Sequence, residues 1–231
     1  MQHCSIPQSI NFFEGIENEK KLFLATAQRC VLAKNSMIFF EGDPGNSCFY
    51  IETGMVRIFS ITNTGKEPIF FLRRSGEIFG LSEVLGDGPR RANAQALIPT
   101  VLYKLESKTF DSLLAHRHVL AQRVIAVLGS RVRYLGAQIS NLMTCSVKNR
   151  VIKLIISLIE DQLPDEEAWS HPVTVAQLSQ DRIAAMIGST QPTVSELLQE
   201  LQREGLIVVS RQKISVPQPL LLLHCAENLT T

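Results

Sequence analysis

QDRIAAMIGSTQPTVSELLQ, residues Gln180–Gln199, meets the requirements of a helix-turn-helix position by position. Ile183, Ile187, Val194 and Leu197 supply apolar residues at the fourth, eighth, fifteenth and eighteenth places, and the small Ala184 stands where two crossing helices would touch. Gly188 stands at the turn, which needs a backbone tolerant of positive φ. Thr190 is a good N-cap for a second helix whose first turn carries Pro192, tolerated there because that N–H has no intrahelical partner. An ordinary pair of packed helices would share the apolar spacing. The turn and cap chemistry instead points to a second helix offered to a DNA major groove.

The flanking sequence extends this reading. The second helix is expected to run from Gln191 to about Arg203 and stop at Gly205, after a basic last turn. LIVVS, a polar RQK turn and ISV follow as a hairpin, which completes a winged helix-turn-helix. Arg211 and Lys213 are the cations that would lay this wing on phosphates. Within the second helix and its lead-in, Ser189, Thr190, Gln191, Pro192, Thr193, Ser195, Glu196 and Gln199 are the candidate DNA contacts. Gln191 suits adenine N6/N7, Ser195 several bases, Glu196 cytosine N4, and Pro192 only apolar contact such as a thymine methyl.

Upstream, from about Arg29 to Glu106, short β-rich runs alternate with turn signals: VLAKNSMIFF, EGDPGNS, CFYIETGMVRIFSIT, NTGKE, PIFFLRR, SGE, ANAQALIPTVLYKLE. This pattern predicts a small β-roll or barrel. Phe110, Leu113 and Leu114 open a helix, and a long one follows over about Val119–Met143. Leu120, Val124, Val127, Leu128, Tyr134, Leu135, Ile139 and Leu142 form its apolar stripe, suited to pairing with a second copy of the chain. Thr144, Cys145 and Ser146 break the helix and form a hinge, with Ser146 capping the next helix, Val147–Ile159. The fold class is therefore α+β. Residues 1–118 form a β-roll domain, 119–145 a dimerisation helix with its hinge, and 146–231 a winged helix-turn-helix domain.

A chain of 231 residues, 45% hydrophobic and 19% charged, has room for two modest cores and the composition of a soluble globular protein. No apolar run reaches the roughly 20 residues of a membrane span, and no signal-peptide pattern opens the chain. The five cysteines (Cys4, Cys30, Cys48, Cys145, Cys225) are dispersed, which argues against a disulfide framework and for a reducing cytoplasm. They read as inert packing residues, with a redox role left open for Cys48 or Cys145. From Ser146 onward seven basic residues face ten acidic ones. Phosphate neutralisation supplies most non-specific DNA affinity, so binding should be weak and salt-sensitive. Much of the acid clusters around Pro164, at Glu160, Asp161 and Asp165–Glu167, away from the expected groove. No nucleophile–base pattern, metal-ligand spacing or phosphate loop is present, so no catalytic residue and no enzyme is expected.

The order β-roll, long helix, hinge, winged helix-turn-helix resembles the cyclic-AMP receptor protein/FNR superfamily of bacterial transcription regulators. The likeness runs from about Phe12 to Gln218. Its markers are FFEGD (Phe39–Asp43), FYIETGMVRIF (Phe49–Phe59), SGEIFG (Ser75–Gly80), PRRANAQA (Pro89–Ala96) and the helix-turn-helix. It implies a homodimer on a two-fold symmetric double-stranded site, with a small effector in the β-roll reorienting the DNA-binding domains and RNA polymerase as a partner. The implied effector residues are Gly80, Leu81, Ser82, Glu83, Arg90, Arg91, Tyr134 and Gln138.

Departures from the family pattern shape the effector expectation. Cyclic-nucleotide binders follow the glycine with a glutamate for the ribose hydroxyl, but Gly80 is followed by Leu81. Arg90 and Arg91 both lie where the phosphate arginine belongs, and either suits an anion. The polar pair that meets adenine is replaced by Leu135 and Gly136. These changes favour an anionic small molecule other than cyclic AMP, with a cyclic-AMP response as the alternative. Only Cys4 stands where the oxygen-sensing branch clusters its cysteines, and Ile78–Glu83 holds no haem ligand. His116 and His118 have poor metal geometry, while His3, His171 and His224 are scattered, so no metal and no cofactor is expected. The family's arginine for guanine is missing from the recognition stretch, so the DNA site should differ from those of its better-known members. A ligand-binding module whose winged helix has lost DNA affinity is the remaining alternative.

Overall fold

The computed structural model describes residues 10–163 and 165–228; His3, Cys4 and Pro164 lie outside them. The chain divides into two compact units, the first ending at Val132 and the second beginning at Arg133.

The first unit opens with helix α1 (Glu17–Thr26) and continues through β1 (Gln28–Leu32), β2 (Met37–Phe39), β3 (Ser47–Thr53), β4 (Met55–Phe59), β5 (Ile69–Arg74) and β6 (Ile78–Phe79). Helix α2 (Leu81–Gly86), β7 (Asn93–Ala96), β8 (Thr100–Glu106) and α3 (Ser107–His116) follow. The strands form two antiparallel four-stranded sheets, ordered β1-β8-β3-β6 and β2-β7-β4-β5. Side chains alternate across a strand, and in β3 the whole SCFYI run is buried because both of its faces are covered. Phe49 and Ile51 point between the sheets, with Val56, Phe79, Ala94 and Leu102. Cys48 and Tyr50 point the other way, into a core with Phe12, Phe13, Phe23, Ile78, Leu81 and Phe110.

Helix α4 (His118–Thr144) supplies that second core with Leu120, Val124 and Val127, while Leu128 packs on its margin. The expected single stripe is therefore two faces. Leu120, Val124, Val127 and Leu128 serve the chain's own core. Ile125 (70% exposed), Val132 (70%), Leu135 (42%), Ile139 (58%) and Leu142 (55%) are left uncovered at coiled-coil spacing.

In the second unit, α5 (Val147–Ile159) starts where the sequence places it: Ser146 Oγ accepts a hydrogen bond from Asn149 N at 3.2 Å. Seven of its apolar side chains are buried, from Val151 and Ile152 to Leu158 and Ile159, which makes it the central helix of the unit. Then come β9 (Val173–Ala176), α6 (Gln180–Ile187), α7 (Gln191–Arg203), β10 (Val208–Ser210), β11 (Lys213–Val216) and α8 (Pro219–Asn228). The expected hairpin is present but is part of a three-stranded sheet, β10-β11-β9, and Lys213 belongs to its second strand. The packing helix α8, which lies on α5, was not foreseen. No helix among the described residues is long and apolar enough to cross a membrane.

Candidate nucleic-acid interface and effector pocket

Helix α6 is capped by Ser179, whose Oγ accepts from Arg182 N at 3.3 Å, and it buries Ile183, Ala184 and Ile187. Gly188 ends it in the left-handed conformation at φ 65°, closing the helix onto the Ala184 carbonyl. Thr190 then caps α7, its Oγ1 accepting from Thr193 N at 3.4 Å. The inner face of α7 is Val194, Leu198 and Leu201; Leu197, expected in the core, is only half-buried. The spacing of four and three places that stripe opposite Pro192, Glu196 and Gln199, which are all exposed; Gln191, at the start of the helix and three residues before Val194, is exposed as well, with Thr190 beside it. Ser189, Thr193 and Ser195 are half-buried. Gln191 Nε2 donates to Gln180 Oε1 at 2.8 Å, which joins the starts of the two helices.

The far end of α7 is held from behind. Lys148 Nζ on α5 lies 2.8 Å from Glu200 Oε1 and 2.7 Å from Glu204 Oε1. Hydrogen bonds to the two carboxylates hold the lysine above its ordinary value, and the lysine holds Glu200 below its own. Two of the acidic residues counted against DNA binding are thus partly neutralised within the domain. The wing turns tightly at Arg211 and Gln212, where Gln212 takes φ 59°, and Arg211 and Lys213 are both exposed. Val209 N donates to Gln202 Oε1 at 2.8 Å, so the wing is tied directly to α7.

In the first unit the candidate effector residues separate. Arg90 is 2% exposed and already engaged. Its Nη1 donates to Glu83 Oε2 at 2.9 Å and to the Gly80 carbonyl at 3.2 Å, and its Nη2 donates to the Ser47 carbonyl and, at 3.3 Å, to Ser47 Oγ. The guanidinium lies 4.2 Å from the centre of the Phe39 ring. Only its Nε is left without a hydrogen bond. Arg91 is exposed, as is Ser82. Leu81, expected to face the effector, is 1% exposed in the hydrophobic core instead, because as the first residue of α2 it turns toward Ile78 and the aromatic cluster. Tyr134 and Gln138 belong to the second unit.

Glycine makes the Arg90 arrangement possible. Gly80 takes φ 75°, and a Cβ there would stand 3.0 Å from Arg90 Nη1 and 3.2 Å from the Ser47 carbonyl. A Cβ on Gly45 would collide with Glu83 Cβ and the Gly88 carbonyl. Beside Arg90 opens a cavity of about 320 Å³ lined among others by Cys30, Phe39, Asp43, Ser47, Phe49 and Lys104. That is small-molecule size. Apart from Arg90, none of these lining residues is among the effector residues expected from the sequence; they come from segments far apart in the chain, and no local spacing brings them together. Arg131, also unforeseen, donates to the Ile78 carbonyl, and burial next to the Arg73 charge brings it down to about 9. Among the described residues no group of His, Cys, Asp and Glu is arranged to hold a metal ion.

Only Cys145 and Ser146 separate α4 from α5; Thr144, expected in the break, is the last residue of α4. Cys145 N still donates to the Asn141 carbonyl at 3.0 Å, and Ser146 takes extended backbone at ψ 161°.

Comparison with known proteins bears on both units. Residues 29–117 match the cyclic nucleotide-binding domain family and residues 149–225 the Crp-like helix-turn-helix domain family. A cyclic AMP receptor protein of Thermus thermophilus is 28% identical over 218 residues, covering 94% of this chain and 97% of the relative. A global nitrogen regulator of Synechococcus elongatus is 28% identical over 193 residues, covering 82% of this chain and 85% of the relative. The solved structure of a CRP/FNR-family transcriptional regulator from Thermus thermophilus superposes with a TM-score of 0.69 at 27% identity, covering 87% of this chain and all (100%) of that one.

Proposed function

The chain belongs to the cyclic-AMP receptor protein/FNR superfamily of bacterial transcription regulators, and from that premise we propose that it is an effector-responsive, cytoplasmic regulator that binds a two-fold symmetric DNA site as a homodimer. The observation that carries the DNA reading is the division of α7. Its apolar side is sealed by Val194, Leu198 and Leu201, while Gln191, Pro192, Glu196 and Gln199 stand in solvent at and beyond its capped N-terminus. Homodimerisation rests on the uncovered line from Ile125 to Leu142, which would otherwise keep large aliphatic groups in water.

The effector we propose is a small anionic molecule other than cyclic AMP. Glu83 already answers the charge of Arg90, and Leu81 offers no partner to a ribose hydroxyl. An anionic effector entering beside Arg90 would exchange with the Glu83 carboxylate. The name of the Thermus cyclic AMP receptor protein favours a second reading, in which cyclic AMP itself makes that exchange. No resident cofactor or metal enters either reading, and RNA polymerase is the proposed partner in transcription.

Fluorescence anisotropy with DNA selected from a random pool tests the first point. Affinity should fall steeply between about 50 and 200 mM salt, as counterion release requires. Affinity independent of salt and sequence would mean that the winged helix no longer reads DNA. Calorimetric titration of the same protein with cyclic AMP separates the two effector readings, since sub-micromolar binding with tightened DNA affinity would select the second.

A further inference from the structure

Between α4 and α5 lies a pair of reactive groups that base reading does not use. Cys145, just past α4, is 9% exposed, and Lys153, on α5, is 8% exposed. Lys153 Nζ points back at the hinge, 3.2 Å from Cys145 Sγ and 2.9 Å from Asn141 Oδ1. Asn141 Oδ1 in turn lies 3.6 Å from the same sulfur. Among the described residues Lys153 makes no ion pair with a carboxylate, so a buried ammonium faces one neutral amide oxygen and one thiol. A buried cation without a counter-charge is unfavourable, and a site built this way favours an anion at its centre.

The same cysteine is wired to the helix-turn-helix. Arg150 Nη1 donates to the Cys145 carbonyl at 3.1 Å, and Arg150 Nε donates to the Ile187 carbonyl, at the end of α6, also at 3.1 Å. One guanidinium therefore bridges the hinge and the turn that sets up the recognition helix. Leu142 closes the same contact, since a Cβ on Gly188 would stand 3.5 Å from its Cδ2.

We infer that Cys145 is a peroxide-reactive thiol, that Lys153 is the counter-charge to its oxidised form, and that oxidation here weakens DNA binding; the last clause rests on the regulator reading above. The sulfur lone pair attacks one oxygen of hydrogen peroxide, forming an S–O bond as the O–O bond breaks. The departing hydroxide takes the thiol proton and leaves as water. Sulfur gives up two electrons, the peroxide accepts them, and the product is a sulfenic acid. Its oxygen, once ionised, meets the Lys153 ammonium. That oxygen needs room where Asn141 Oδ1 and Lys153 Nζ now sit, so the backbone at Cys145 shifts and the Arg150 bridge moves with it. Cys48 provides the internal contrast: burial pushes its thiol up to about 12, which keeps it protonated and unreactive.

The test uses full-length reduced protein, hydrogen peroxide and dimedone, read by peptide mass spectrometry, with DNA anisotropy in parallel. Dimedone should mark Cys145 and leave Cys48 unmarked. Lys153→Met should slow the marking by about tenfold, the effect of one unit charge at close range, while Lys153→Arg keeps most of the rate. Peroxide should weaken DNA binding of the native protein by about tenfold, reversibly with a thiol reductant, and leave Cys145→Ser unaffected. An unmarked Cys145 in native protein overturns the inference, and this arm needs no variant to fold. Native-rate marking of Lys153→Met removes the lysine from it, and equal peroxide sensitivity of Cys145→Ser removes the regulatory half. Reduced protein that binds no DNA under any condition would refute the regulator reading instead, while the marking still decides the thiol chemistry.

Discussion

Glu83 and Arg90 form a 2.9 Å ion pair beside the cavity proposed for the effector, with the arginine side chain 1% and the glutamate side chain 13% exposed. The carboxylate comes from the first turn of α2 and the guanidinium from the loop after it, so one short segment supplies both charges. The pair does internally what a bound anion would do from outside.

Removing one side of it should therefore be costly and partly reversible by an added anion. Glu83→Ala leaves a buried guanidinium uncompensated, for which a loss of about 3–5 kcal/mol is expected. Thermal denaturation should show a lowered midpoint that millimolar sulfate partly restores in the variant and leaves unchanged in the native protein. A variant as stable as native would show that Arg90 is satisfied by its carbonyl partners alone.

Assembly can be tested without disturbing the fold. Val132 is 70% exposed, so Val132→Glu places no charge in the chain's own core. In a dimer it would bury two like charges at a seam, each costing several kcal/mol. Analytical ultracentrifugation at micromolar concentration should find a native dimer and a folded monomeric variant. A native monomer there would end the homodimer proposal.

On DNA, Gln191→Ala and Lys213→Ala should behave differently. Loss of a bidentate base contact costs on the order of 1–3 kcal/mol and relaxes preference at one base pair. Loss of a wing cation should weaken all sequences alike and lower the salt slope by about one. Indistinguishable losses from the two would mean that α7 and the wing do not divide the work. Ordering the Gln191 side chain at DNA must also break its 2.8 Å bond to Gln180.

The Lys148 clamp predicts a pH dependence. Glu200 is held below its ordinary 4.5, so its stabilising effect is complete above that value and is lost as pH falls through the lower folded one. Lys148 is held above its ordinary 10.5, so its effect is complete below 10.5 and lost as pH rises through the higher folded value. Because the glutamate is in solvent, the effect should be small. Denaturant midpoints of native protein and Lys148→Met should differ most near neutral pH and converge toward pH 3; a constant difference would assign Lys148 a packing role instead.

The helix-turn-helix was readable because its determinants are local: Gly188, Thr190 and Pro192 act on their own backbone, and a period near 3.6 marks the inner face. That period leaves 194–197 and 194–198 nearly equivalent, which is why Leu198 and not Leu197 completes the core. The stripe on α4 was visible but its division was not, since Leu128 and Val132 carry the same hydrophobic signal and differ only in what the fold brings to them. The candidate effector pocket was least legible. Arg90 and Glu83 were both named, but their pairing with each other depends on the turn between α2 and β7. Leu81 gave no sign in the sequence that it belongs to an aromatic core.

Gly45 has a consequence for how such a protein can change over generations. Any side chain at this position runs into Glu83 and the Gly88 carbonyl, so the glycine and the glutamate are not free to drift separately. A lineage acquiring alanine at 45 would have to displace α2, and with it the carboxylate that occupies Arg90. One neutral-looking substitution in the loop before β3 is thus a mutational route by which the self-satisfied Arg90 site would open to an external anion, with α7 and the wing untouched.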